Sequence, residues 1–140
     1  MLENIIKPII DAHHLRLWSI DAHGQGRQTI LRVMVDGASL GDCEKISREI
    51  GAVLDVEDPF QTAYQLEVSS PGIYRKLSSA SHFSDYLQKK IKMKWRTTEG
   101  EYRNEVVTVQ TVEKDTLCFV TENGDTENVL LSEIQKAQVI

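Results

Sequence analysis

Cysteine is scarce here, at 2 of 140 residues, and proline scarcer than average, at 3. Cys43 and Cys118 lie far apart, which excludes a disulfide-dense secreted scaffold. Each falls in an apolar pattern, so both read as buried thiols of a reducing compartment. No apolar run approaches the roughly 20 residues of a membrane-crossing helix. The opening residues lack a basic stretch followed by an unbroken apolar core, so no signal peptide is expected. The reading is a soluble cytoplasmic protein. Catalytic signatures are missing too. There is no G-x-S-x-G elbow, P-loop or dinucleotide fingerprint, and the carboxylates are scattered rather than paired. His13, His14, His23 and His82 lack metal-ligand spacing. Neither catalysis, cofactor nor metal is expected.

With 41% hydrophobic residues, the chain is long enough to bury one medium core or two small ones. Leu2, Ile5, Ile6, Ile9 and Ile10 keep helical spacing, interrupted only by Pro8. Leu15–Ala22 and Gln28–Asp36 read as strands joined across Gly24-Gln25-Gly26. Ser39 is a candidate N-cap, with Asp42 positioned to complete a capping box. Cys43, Ile46, Ile50, Val53 and Leu54 then form the apolar stripe of a helix ending near Asp58-Pro59, with Leu40 and Leu66 also placed in the core. Ala63–Ser70 is a third strand. Two helices on one face of a three-stranded sheet would bury that stripe.

The remainder has a different texture. A short helix is expected at His82–Gln88, with Phe83 and Leu87 inward. Ile91, Met93 and Trp95 alternate with Lys92, Lys94 and Arg96, so one strand has an apolar and a cationic face. Trp95 belongs to the apolar one. Further strands are expected at Glu105–Val112, Leu117–Thr121 and Thr126–Leu131, with Val139-Ile140 closing the set. Asn123-Gly124 predicts a type I′ hairpin turn. Short strands and tight turns over some 60 residues suggest a small barrel. The fold class is therefore α+β, with an α/β domain at 1–72 and a β-barrel domain at 73–140.

The net charge of −5 is unevenly distributed. Residues 1–72 hold 6 Lys/Arg against 11 Asp/Glu, residues 73–103 hold 8 against 3, and residues 104–140 hold 2 against 7. An acidic body is a poor general RNA binder, because phosphate contacts dominate non-specific affinity. It suits a basic partner. The candidate RNA contacts are Arg75, Lys76, Lys89, Lys90, Lys92, Lys94 and Arg96, with Arg103 beyond them and Tyr74 and Tyr102 as stacking partners.

Between these halves runs Tyr64–Leu77, YQLEVSSPGIYRKL. Tyr64, Leu66 and Val68 share one face; Gln65, Glu67 and Ser69 share the other. Ser70-Pro71-Gly72 ends the strand, since proline donates no ladder bond and glycine admits a positive φ. An L-E-V-S-S-P-G strand end followed by Arg75 and Leu77 resembles the signature of the RimP-type ribosome maturation factors. The helix around Asp42–Arg48, leading to Leu54–Pro59, is similar to that family's central helix. Tyr74 and Lys76 stand where the family usually has an acid and a proline.

The resemblance implies a KH-like αββαβ first domain and an SH3-like or Sm-like barrel. It implies no bond chemistry, but binding to the free, immature small ribosomal subunit and promotion of its assembly; a general Sm-like RNA-binding module is the alternative. The partners would be small-subunit rRNA and ribosomal protein twelve of that subunit, with no membrane partner and a monomeric chain. A KH-like unit here would have lost its RNA clamp, because no G-x-x-G loop is present. Glu67, Ser69, Ser70, Pro71 and Gly72 are the expected protein-partner or interdomain residues. The expected charge partner of Glu67 is Arg75 or Lys76.

Overall fold

The computed structural model describes residues 2–25, 27–60 and 63–140. The chain divides into two compact units, Met1–Gly72 and Ile73–Ile140. Both are mixtures of helix and strand, so the class is α+β.

The first unit runs α1 (Leu2–Ala12), β1 (Arg16–Gln25), β2 (Gln28–Asp36), α2 (Leu40–Glu57) and β3 (Ala63–Ser69). Its sheet has the order β1-β2-β3, with β1 antiparallel and β3 parallel to β2. β1 extends through Gly24 and Gln25, which pair with Thr29 and Gln28. Two residues of the expected Gly24-Gln25-Gly26 connection thus belong to the strand, and Gly26 lies outside the described residues. α2 begins with the expected capping box: Ser39 Oγ accepts from the Asp42 amide at 3.1 Å, and Asp42 Oδ2 accepts from the Ser39 amide at 3.0 Å. It ends where Asp58, at φ +46°, donates its amide to the Leu54 carbonyl just before Pro59.

Ile6 and Ile10 of α1, Ile46, Ile50 and Leu54 of α2, and Leu31, Val33 and Val35 of β2 close one core, so both helices cover the same sheet face. Leu66 and Val68 pack against it. Leu40 does not. It is 81% exposed, because it opens α2 beyond the edge of the stripe. Val53 is only half-buried at the stripe's margin.

The second unit contains α3 (Ala80–Ser84), β4 (Lys90–Arg96), β5 (Tyr102–Glu113), β6 (Thr116–Val120), β7 (Thr126–Leu130), a 3-10 turn at Leu131–Glu133, and β8 (Ile134–Val139). The strands form one antiparallel sheet in the order β7-β6-β5-β4-β8. α3 is shorter and earlier than the spacing predicts, because Ser79 caps it from the other end. Phe83 is buried, whereas Leu87 falls beyond the helix and is 43% exposed. The β6–β7 hairpin lies where Asn123-Gly124 predicts it. Of that pair only Gly124 takes a positive φ, +89°. Its amide donates to the Thr121 carbonyl, a type I turn with a left-handed glycine rather than type I′.

The core of this unit gathers Ile91, Met93 and Trp95 of β4 with Val107, Val109, Leu117, Phe119 and Ala137. The Trp95 and Phe119 rings meet edge-on at 5.0 Å. Cys118 alternates away from this core and is only half-buried, its thiol directed at Gln110 Oε1 at 3.5 Å. That corrects the expectation of two buried thiols. Cys43 is buried, and burial pushes its thiol pKa up, away from the reactive thiolate.

Candidate functional site

The alternation of β4 creates the most distinctive surface. Because Ile91, Met93 and Trp95 fill the core, Lys90, Lys92, Lys94 and Arg96 must project from the opposite face. The neighbouring strands complete that face. Lys92 pairs with Gln138 and Lys94 with Lys136 on β8; Lys94 pairs with Asn104 and Arg96 with Tyr102 on β5. Lys76 joins through an isolated antiparallel bridge to Gln138, supported by Leu77 donating to the Ala137 carbonyl at 2.9 Å and Val139 donating to that of Arg75 at 3.0 Å. Residues directly opposite in an antiparallel pair share a face, so Lys76, Lys92, Lys94 and Lys136 converge. Lys92, Lys94, Asn104, Lys136 and Gln138 line a shallow depression on it.

Among the described residues, Lys90, Lys92, Lys94, Arg96 and Lys136 form no ion pair. The Lys94 ammonium lies 5.5 Å from the centroid of the Tyr102 ring, which is 56% exposed. Like charges directly opposite one another weaken a sheet. The Lys94–Lys136 pair therefore costs stability and fits an anionic ligand.

The expected residues separate on this geometry. Lys76, Lys90, Lys92, Lys94 and Arg96 share the face. Lys89 stands just before β4, outside its alternation, and Arg75 is displaced from the face by alternation with Lys76. Arg103 is a correction. It pairs with Trp95 in register, so it turns to the other side, stacks 5.2 Å from the Trp95 ring and binds Glu105 and Glu127. Those carboxylates raise its pKa, the Glu105 hydrogen bond most of all. Lys136 was missed because it falls in the acidic block 104–140. Its place on β8, one residue before the buried Ala137, was the available signal.

In the first unit, Glu67 lies on the helix-free face of the sheet. Its Oε2 accepts from Arg32 Nε at 2.9 Å, directly across from it on β2. Strand order, rather than sequence proximity to Arg75 or Lys76, supplies this partner. Ser69 Oγ donates to the Ser70 carbonyl at 3.4 Å, and Gly72 takes φ +77°, a conformation that the turn after Pro71 demands. These serines brace a strand end.

His82 and His13 have structural partners. His82 is buried, its Nδ1 accepting from the Ser78 and Ser79 amides at 3.0 and 3.3 Å. His13 Nε2 lies 2.7 Å from Glu49 Oε2. Among the described residues no group of three or more His, Cys, Asp or Glu is placed to hold a metal ion, and no helix is long and apolar enough to cross a membrane.

A family model described as the RimP N-terminal domain matches residues 5–74. The match runs from Ile5 within α1 through β1, β2, α2 and β3 to Tyr74, past the Ser70-Pro71-Gly72 turn. The chain belongs to the RimP family of ribosome maturation factors.

Proposed function

We propose that the chain binds the free, immature small ribosomal subunit in the cytoplasm and promotes its assembly without bond chemistry. In this reading it favours folding of the small-subunit rRNA and the incorporation of ribosomal protein twelve of that subunit. The carrying observation is the family match over residues 5–74. The mechanism is differential binding: a factor that prefers a near-native arrangement of RNA and protein shifts that population. The residues divide the work. The cationic face around Lys92, Lys94 and Lys136 meets rRNA phosphates. The acidic first unit, with Glu67 and the Ser69–Gly72 strand end, meets basic protein surface. The helix–strand–strand–helix–strand order supports a KH-like reading of domain 1–72, and the short antiparallel strands support an SH3-like or Sm-like reading of domain 73–140. The working form is a monomer.

Co-sedimentation with free small subunits, whole ribosomes and naked rRNA across a salt series tests this. Binding confined to free small subunits is expected. Equal, steeply salt-sensitive binding to any RNA would instead favour a general Sm-like RNA module.

A further inference from the structure

We infer that the outward face of β4 is a site for single-stranded RNA, with the strand laid along Lys90, Lys92, Lys94 and Arg96 and an unpaired base stacked on Tyr102. This deepens the proposed function and rests on its reading of that face as the RNA contact. The cations on β4 recur every second residue, roughly 7 Å apart at strand rise. That interval is comparable with the step between successive phosphates of an extended nucleic-acid strand. Lys136 and Lys76 add charge beside the row from β8 and its bridged neighbour. The depression between Lys92, Lys94, Asn104, Lys136 and Gln138 offers ammonium and amide donors to one phosphate at the row's centre.

A duplex is the poorer fit. Its bases are stacked and paired, so an exposed tyrosine on a sheet face has nothing to stack on. Tyr102 lies directly opposite Arg96 and beside the Lys94 ammonium, at the row's end, with its ring open to solvent. A flat aromatic flanked by backbone-tracking cations is the arrangement by which sheet surfaces hold single strands with little sequence preference. Tyr102 alternates outward, whereas its β5 neighbour Arg103 faces the core side and closes over Trp95.

The test is fluorescence anisotropy of the full chain with a labelled single-stranded oligouridylate and with an RNA duplex of equal charge. The single strand is expected to bind at least about tenfold more tightly. Tyr102→Leu should weaken it roughly tenfold, a typical loss for one stacked base, and leave duplex binding unchanged. Lys94→Gln with Lys136→Gln should reduce the slope of log affinity against log salt by about 0.7 per lysine. Circular dichroism of each variant confirms that it is folded. Equal affinity for both RNAs, or an unchanged Tyr102→Leu, would overturn the inference. Small-subunit co-sedimentation of the same proteins separates the two readings. Lost strand preference with subunit binding intact overturns only the single-strand site. Intact strand preference with no subunit binding by the wild type overturns only the maturation role.

Discussion

On the helix-free face of the first sheet, Arg32 stands between Asp21 on β1 and Glu67 on β3. On the outward face of the second, Lys94 stands between Lys136 on β8 and Asn104 on β5. The first row crosses one antiparallel and one parallel pairing and the second two antiparallel ones, yet the first pairs opposite charges and the second sets like charges together. Folding favours the first arrangement, since opposite charges across a ladder stabilise it and like charges weaken it. The second is understandable if an anion supplies the missing countercharge. Net charge is therefore a poor guide to this chain's surfaces. The acidic total conceals a basic surface made by strand alternation.

The largest effects should come where the sheets do not differ, on their buried faces. Ile46→Ala in the first unit should cost about 2–5 kcal/mol, and Phe119→Ala in the second about 3–5 kcal/mol. Urea titrations followed by circular dichroism would read both. Losses below about 1 kcal/mol would mean these side chains do not close the two cores. The outward faces should then respond with opposite sign to the same chemical change. Arg32→Glu places a third carboxylate between Asp21 and Glu67 and should destabilise the protein by about 1 kcal/mol. Lys136→Glu, by contrast, gives Lys94 an opposite charge and should stabilise it by about 0.2–1 kcal/mol while weakening small-subunit binding. Two destabilisations of similar size would erase the contrast between the sheets.

The smallest expected effect is one of pH. The Ser39 amide holds the Asp42 carboxyl below its ordinary value of 3.8. A depressed folded pKa gives stability that is present above the unfolded value and lost as pH falls through the folded one. Asp42→Asn should therefore flatten the acid limb of the stability curve below about pH 4. Parallel curves for the two proteins would show that the capping box contributes nothing to it.

Much of this architecture was legible because alternation and capping are local. The Ile91–Trp95 pattern located β4 and predicted its cationic face, and Ser39 with Asp42 marked the start of α2. Properties that depend on strand order were not legible. Arg32 and Glu67 are 35 residues apart, and only the parallel β2–β3 pairing makes them neighbours. Lys136 sits in an acidic block by sequence and in the basic face by register. Arg103 belongs to the basic block by sequence, yet parity on β5 turns it to Glu105 and Glu127. Leu40 and Leu87 failed for a related reason. Both satisfy helical spacing but stand at or beyond a helix end, where they stay exposed.

The proposed function has the basic face of the second sheet, around Lys92 and Lys94, meeting the small subunit. The most direct test is co-sedimentation with free small subunits of the wild type, Lys92→Glu/Lys94→Glu and Arg32→Glu. The prediction is a loss of at least about a hundredfold for the double reversal, since two phosphate contacts become repulsions, with Arg32→Glu close to wild type. Equal binding by all three folded proteins would contradict the claim.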